Sequence, residues 1–463
     1  MRKSALTLLT SLTFVGASAP LVVLAQPAPA DQPPAAPPAP AAGEAPAAGP
    51  APAGAPAAPA AAQAEPAPAA APGEPAPAPA AGPPPPAAPA AGPEAEKPKA
   101  PPPEVTGYVE GAYHVNLTHA ATNLPVPTRS YDYWGGNSFI LHAAHVAINH
   151  KFSDMVKGTI EIDAGHDAGM TNGLVPLINA GNTGPAIDPL FFNIQEAYAT
   201  LTSDFGLYFI AGKFVTYEGI EVIEGPLDPT ITRGFLFGLA EPYAHVGAKL
   251  HYAIGDKADI GVGVVNGWDV WIDNNDAKTL IWRIGVTPVD MFWAALSGYY
   301  GAERTKFSDP GANRDGRLSI DLTGAVKVGD MLAINFQFNY GSEKNAVPGP
   351  LPTDPRKNAS WLGFGLQPVV TYQAFSAGLR LEWFNDADGA RNGITPGDPT
   401  AVPPITTTAT PAKYTNITIT PGYTFGEKFT LRAEYRHDFS TQPNLTDGKK
   451  GQDTIAIGAH YIF

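Results

Sequence analysis

From Glu104 to Phe463, apolar and polar side chains alternate one for one. That period of two, not 3.6, restricts this part of the chain to extended strands. Leu318, Ile320, Leu322, Gly324, Val326 and Val328 are interleaved with Arg317, Ser319, Asp321, Thr323 and Lys327. After Gly329-Asp330 the pattern resumes, with Leu332, Ile334, Phe336, Phe338 and Tyr340 set against Asn335, Gln337 and Asn339. Ile417, Ile419, Tyr423 and Phe425 alternate in the same way with Asn416, Thr418, Thr420 and Thr424. Such segments run to about 9–11 residues, the length a tilted strand needs to cross a bilayer. One face of each is apolar and the other carries full charges.

The connections fall into two classes. Short ones lie at Ser153-Asp154-Met155, Ser203-Asp204-Phe205, Gly255-Asp256-Lys257, Pro288-Val289-Asp290, Gly329-Asp330, Gln373-Ala374 and Gly426-Glu427-Lys428. Longer polar stretches lie between them, from His166 to Leu190, Val215 to Tyr243, Ser342 to Ala359 and Asp386 to Lys413. Short periplasmic turns opposite long extracellular loops are the layout of an outer-membrane barrel. The expected fold is therefore all-β, a closed antiparallel transmembrane β-barrel of about 16 strands (range about 14–18). Polar residues interrupt every later apolar run, so no helix spans, and closure satisfies each backbone group in lipid. A soluble β-sandwich or β-solenoid shares the alternation. Strand length, the two loop classes, an export signal and the chain end favour the barrel. The last strand, Ile455, Ile457, Ala459, Tyr461, Phe463, stops on a terminal Phe, so Tyr461 and Phe463 are expected to signal to the outer-membrane assembly machinery. Trp282, Trp293, Trp361, Trp383, Tyr414, Tyr423 and Tyr461 sit near strand ends, where interfacial girdles belong.

Met1-Arg2-Lys3, the apolar run from Ala5 to Val15 and the small residues before Gln26 form a signal peptide over residues 1–25, cut after Ala25. Residues 26–103 are a Pro/Ala-rich tract holding more than half of the chain's 51 prolines. It cannot bury a core and is expected to be a disordered periplasmic linker, either without a fixed partner or touching the cell wall. At roughly 3 Å per residue it could reach over about 200 Å. Residues 104–463 form the barrel. The chain has no Cys, which excludes a disulfide scaffold, a thiolate metal site and a Cys nucleophile. Its net charge of −14 argues against nucleic acid as a partner.

One region carries a family likeness. Gly212-Lys213-Phe214-Val215-Thr216 is followed by Gly219-Ile220-Glu221-Val222-Ile223-Glu224 and Arg233-Gly234-Phe235-Leu236-Phe237-Gly238. Then come Glu241-Pro242-Tyr243, His245, Gly247 and Val264-Val265-Asn266-Gly267-Trp268-Asp269. With the opening Gly107-Tyr108-Val109-Glu110, these resemble the OmpL-like β-barrel porins from about residue 106 to 463, most specifically between 212 and 275. The Pro/Ala tract has no part in the likeness. The resemblance implies a pore in the outer membrane of a Gram-negative bacterium and names no substrate.

If the apolar faces meet outer-membrane lipid, strand parity turns Glu110, His114, Glu161, Asp163, Lys213, Lys249, Asp259, Arg283, Arg317, Asp321, Lys327, Arg380, Glu382, Arg432, Glu434, Arg436 and Asp438 inward. Charges of both signs there need water or partners. A barrel of this size leaves an aqueous channel, so passive diffusion of small hydrophilic solutes and ions is the expected function, with no cofactor. Salt-bridge ladders on the wall, such as Arg380 with Glu382 and Arg432, Glu434 and Arg436, are the plainer reading of the same residues. The connection Val215–Tyr243 carries Glu218, Glu221, Glu224, Asp228 and Glu241 against Arg233. By analogy with general diffusion porins it folds inward as a constriction, its acids facing Arg283, Arg317, Arg380, Arg432 and Arg436 across a transverse field. A surface loop outside the pore is the alternative. The same analogy suggests a homotrimer.

Other constellations are weaker. In a strand His142 and His145 point to opposite faces, so His142, His145 and His150 do not make a shared metal site. Asp273-Asn274-Asn275-Asp276 and Asp386-Ala387-Asp388-Gly389 lack the spacing of a calcium-binding hand. No compact catalytic motif marks an enzyme. An envelope tether or adhesin anchoring the Pro/Ala arm is the second reading, and an outer-membrane hydrolase the third.

Overall fold

The structure is a computed structural model. It describes residues 101–118, 137–171, 192–304, 314–349, 355–391, 410–445 and 448–463. The expected signal peptide and nearly all of the expected Pro/Ala linker lie outside the described residues, as do parts of several long loops.

Sixteen strands form one closed antiparallel barrel. They are β1 (Glu104–Asn116), β2 (Ser138–Lys151), β3 (Val156–Ala164), β4 (Phe192–Thr202), β5 (Leu207–Val215), β6 (Ala244–Ile254), β7 (Ala258–Val265) and β8 (Thr279–Val289). They continue as β9 (Phe292–Ala302), β10 (Gly316–Val328), β11 (Leu332–Val347), β12 (Lys357–Tyr372), β13 (Phe375–Asp386), β14 (Ala412–Phe425), β15 (Phe429–Ser440) and β16 (Gly451–Ile462). Each strand pairs with its chain neighbours, and β1 pairs with β16 from Tyr108↔Ile462 to Asn116↔Thr454. Phe463 adds to this seam: its N–H donates to the Gly107 carbonyl at 2.9 Å. A Cβ at Gly107 would collide with the His145 carbonyl and the Phe463 ring, so the seam needs glycine there.

The seven short connections all join strands at one end, at β2–β3, β4–β5, β6–β7, β8–β9, β10–β11, β12–β13 and β14–β15. Strand lengths differ from the expectation. β11 and β12 reach 16 residues, beyond what a bilayer crossing requires, and extend the wall on the long-loop side.

Alternation is realised as an inverted protein. Outward side chains such as Leu250, Ile260, Val262, Phe338, Phe364, Ile417 and Ile419 are exposed and apolar, whereas Asp321, Asn339, Arg380, Asn416 and Asp438 are fully buried on the inner face. Lipid on one side and water or polar partners on the other produce that division. Three aromatic residues depart from the expected girdle. Trp361 and Tyr414 are buried in the interior, and Trp293 has the inward parity of Ala295, Ser297 and Tyr299. Trp282, Trp383, Tyr423 and Tyr461 do lie on the lipid-facing side. A strand-end aromatic looks the same in sequence whichever face it takes.

The histidines of β2 also depart from strict parity. The β1–β2 register slips between Glu110 and Gly111, which pair with Ala143 and Leu141, leaving His142 in a bulge. Both His142 and His145 are therefore buried inside, where simple alternation separates them. They nonetheless engage different groups. His145 Nδ1 lies 2.7 Å from Asp163 Oδ1, whereas His142 lies 2.9 Å from His114 and 3.3 Å from Asp167. Asp167 belongs to α1 (His166–Thr171), one short turn packed against β2, β3 and β4.

Candidate functional site: the inner wall and its inward loop

β5 and β6 stop at Val215 and Ala244, and residues 216–243 between them turn into the barrel. Local sequence makes the turn. Gly219 adopts φ 93°, a left-handed conformation open to glycine, and an added Cβ would collide with Glu241 Oε1. Asp228 then caps the bend, accepting from the Val222 N–H at 3.1 Å. A 3₁₀ turn at Gly225–Leu227 and a π-helical turn at Leu236–Ala240 carry the segment across the interior.

The loop is fastened to the wall on nearly every side. On β9, Ser297 Oγ donates to the Tyr217 carbonyl at 3.0 Å. On β10, Asp321 accepts from the Gly219 N–H at 3.1 Å and Ser319 donates to Glu218 at 2.7 Å. On β11, Gln337 donates to Glu241 at 2.6 Å, and on β12 the Trp361 indole donates to the Ala240 carbonyl at 3.3 Å. On β13, Arg380 reaches Glu221 at 2.7 Å and Thr230 at 2.9 Å, while Glu382 accepts from the Phe235 and Leu236 N–H groups at 2.8 and 3.3 Å. On β15, Glu434 accepts from the Ile231 and Thr232 N–H groups at 2.6 and 3.2 Å. Arg432 donates to the Asp228 and Thr230 carbonyls at 2.9 and 3.2 Å, and Arg436 to the Arg233 carbonyl at 2.6 Å. Gln195 of β4 bonds Glu224, and Glu110 of β1 pairs with Arg432. The surface-loop alternative does not fit these contacts.

The arrangement is not two opposed rings of charge. Glu221 is paired with Arg380, and Asp228 with Arg233 inside the loop itself at 2.9 Å. Arg436 is bonded to Asp438 at 2.8 Å, and Arg317 to Glu343 at 2.9 Å. The wall contributes acids, Glu382 and Glu434, where the loop presents backbone N–H groups, and arginines where it presents carbonyls. An irregular segment in a barrel has no ladder of its own, so the wall must supply these partners.

One group of acids is different. Glu218, Glu241 and Asp321 converge around Gln337, whose amide donates to both Glu241 and Asp321, and Asn339 donates to Asp321 at 3.0 Å. Burial first, and then the neighbouring Asp321 carboxylate, push Glu218 and Glu241 well above the usual carboxylate range. Above this cluster the packing turns aromatic. Phe235, Leu236, Leu239, Trp268, Tyr299, Trp361, Phe384 and Tyr414 form one buried cluster between loop and wall. Arg317 and Arg391 each lie 4.8 Å from the Trp268 ring, and Arg391 also lies 5.0 Å from Trp361.

The remaining wall residues are placed as follows. Lys249 of β6 holds its ammonium 4.1 Å from the Phe214 ring and 4.6 Å from Tyr217. Arg283 and Asp259 pair at 2.9 Å and, like Glu161, keep partial exposure below the loop. Lys213 stands apart: it donates to Asn193 at 2.9 Å and the Ile194 carbonyl at 2.7 Å, beneath the Trp271 ring. Sequence reading missed the neutral partners Thr230, Thr232, Ser319, Gln337, Asn339, Asn416 and Thr418. Their inward parity is the signal that could have found the wall members among them. Tyr461 and Phe463 lie exposed at the β1–β16 seam.

Among solved structures, the chain is similar to the outer membrane channel DcaP of Acinetobacter baumannii, with 15 % identity over 79 % of this chain and 98 % of that one, TM-score 0.49. It is also similar to OmpF of Salmonella typhi in complex with daunomycin, with 11 % identity over 78 % and 97 %, TM-score 0.49. OprB of Pseudomonas putida at high pH shares 11 % identity over 78 % and 94 %, TM-score 0.47. No functionally curated protein matches. The model of the family described as "Putative beta-barrel porin-2, OmpL-like" matches residues 102–463, the whole barrel. With its closed sixteen-strand wall, the chain belongs to that family and is an outer-membrane channel of the porin type.

Proposed function

We propose that this channel passes small hydrophilic solutes and ions by diffusion, with residues 216–243 forming its narrowest part. The observation that carries the reading is the loop's attachment to β9–β13, β15 and β4 inside a barrel whose inner wall is largely polar, with charges of both signs. A barrel of sixteen strands without such a segment would hold a wide aqueous lumen. Glu110, Asp321, Arg380, Glu382, Arg432, Glu434 and Arg436 serve chiefly to hold the loop. Glu161, Asp259, Arg283 and Arg317, which retain exposure, meet the passing solute. Liposome swelling tests the proposal: uptake should fall steeply as neutral sugars increase in size, and liposomes impermeable to every solute would overturn it.

Export by cleavage after Ala25, a Pro/Ala spacer reaching toward the cell wall, recognition of Tyr461 and Phe463 by the assembly machinery, and association as a homotrimer complete the proposal. Cross-linking in native membranes tests the last, with a ladder ending at three copies expected and a lone monomer band contradicting it.

A further inference from the structure

Among the described strand residues, Asp453 of β16 is the one carboxylate on the outward face; its neighbours Gln452 and Thr454 are buried inside, and Ile455 and Ile457 follow it outward. A carboxylate facing hydrocarbon is costly and marks a functional site by default. This one is built into a cluster. The Tyr435 hydroxyl donates to Asp453 Oδ1 at 2.6 Å, and His437 Nδ1 lies 2.8 Å from the same oxygen. With Nδ1 engaged by Asp453, the ring keeps Nε2 for a ligand on the bilayer side. Both side chains of the pair remain about two-fifths exposed, at 42 % for His437 and 39 % for Asp453.

Register then places cations above this cluster. His437 pairs with Asp453, and Phe439 with Gly451. One row further, Thr441 is bonded to Lys413, its N–H meeting the Lys413 carbonyl at 3.0 Å, while the Ser440 N–H meets the Lys450 carbonyl at 2.7 Å. Lys413 and Lys449 thus flank Thr441 on adjacent strands, about 10 Å apart by strand spacing. Lys449 donates to the Thr118 carbonyl at 2.6 Å, whose hydroxyl in turn accepts from the Asp453 N–H at 2.8 Å. Both lysines are exposed, and among the described residues neither is ion-paired. Trp383 and Phe439, outward in the row between, mark the boundary where headgroups meet acyl chains.

We infer that this surface of β14–β16 binds the phosphorylated headgroup of an acidic outer-leaflet lipid, with Lys413 and Lys449 on the phosphate and His437 Nε2 on the polar carbonyls below it. Asp453 acts as a positioning residue that fixes His437 and Tyr435. Charge complementarity selects this occupant: among the described residues, two exposed cations without an ion pair stand at the rim, and the acid of the outward face, Asp453, is already engaged by Tyr435 and His437. The inference is independent of what crosses the lumen.

Native mass spectrometry of the full-length protein tests it, with bis-phosphorylated lipid A, its dephosphorylated form and zwitterionic phosphatidylethanolamine as probes. Wild type should retain lipid A at least tenfold more tightly than either other lipid. Lys413→Gln/Lys449→Gln should lose that preference, and Asp453→Asn should weaken it while leaving channel conductance and heat-modifiable mobility unchanged. Equal retention of the dephosphorylated lipid would overturn the inference, as would unaltered lipid A binding by the double variant. A change of oligomeric state in place of lipid loss would also overturn it, assigning the patch to a second copy of the chain.

Discussion

Glu434→Gln is the sharpest perturbation of the loop. In the docked state the Glu434 carboxylate accepts from the Ile231 N–H at 2.6 Å, the Thr232 N–H at 3.2 Å and the Thr420 hydroxyl at 3.0 Å, and it is nearly fully buried. All three bonds fall on Oε2, and the Thr232 hydroxyl bonds Oε1, so glutamine keeps the shape and the contacts but removes the charge that strengthens them. Three of these bonds come from the loop, and each drops from about 1.5–3 kcal/mol with a charged partner to about 0.5–1.5 kcal/mol with a neutral one, so the docked loop loses roughly 3 kcal/mol. At about 1.4 kcal/mol per factor of ten, the undocked population rises on the order of 100-fold. The chain has no Cys, so one introduced at Ile231, which packs on Ala112 and Ala456, is a unique reporter. Labelling by a membrane-impermeant thiol reagent should accelerate by that factor in Ile231→Cys/Glu434→Gln relative to Ile231→Cys alone. A rate within twofold of the control would refute the assignment of Glu434 as a fastener.

Three further outcomes are expected. Glu218 and Glu241 hold protons more tightly docked than free, so docking is favoured at low pH and weakens as pH rises through their elevated range; conductance should therefore grow toward alkaline pH. Glu218→Gln/Glu241→Gln should flatten that profile, and an unchanged profile would contradict the cluster's role. Gly219→Ala forces a β-carbon into a φ of 93° and onto Glu241, so channel noise should increase without loss of the heat-resistant barrel on gels. Phe463→Ala should lower the yield of heat-modifiable barrel in cells, with normal yield removing the terminal residue from the assembly signal.

The wall was legible in the sequence because lipid enforces it. Once one face must be apolar, a slip of one residue would put Arg317 or Asp321 into hydrocarbon, so alternation alone sets the register. The β2 bulge was not legible, since nothing in the residues around His142 distinguishes an extra residue from regular pairing. The fold of residues 216–243 was legible as composition and not as geometry. Its acids were visible, but their partners lie far along the chain: Ile231 meets Glu434 and Gly219 meets Asp321. Sequence reading placed those wall carboxylates on the inner face with water or wall arginines as partners, whereas in the structure they accept from backbone N–H groups of the loop. Trp361 was assigned from its aromatic type and not from its parity: it shares the inner face with Ala359 and Gln367, where its indole donates to Asn339 at 3.1 Å and to the Ala240 carbonyl at 3.3 Å. Asp453 was readable as a break in the apolar face of the last strand, and only the distances to His437 and Tyr435 turn that break into a site.

Current through single copies in a planar bilayer tests the whole account most directly. The full-length protein should give discrete, stable steps, and shortening residues 216–243 to a tight turn should raise the step size several-fold. Steps of equal size in both proteins would remove the loop from the conduction path, and a silent bilayer with both would contradict the channel itself.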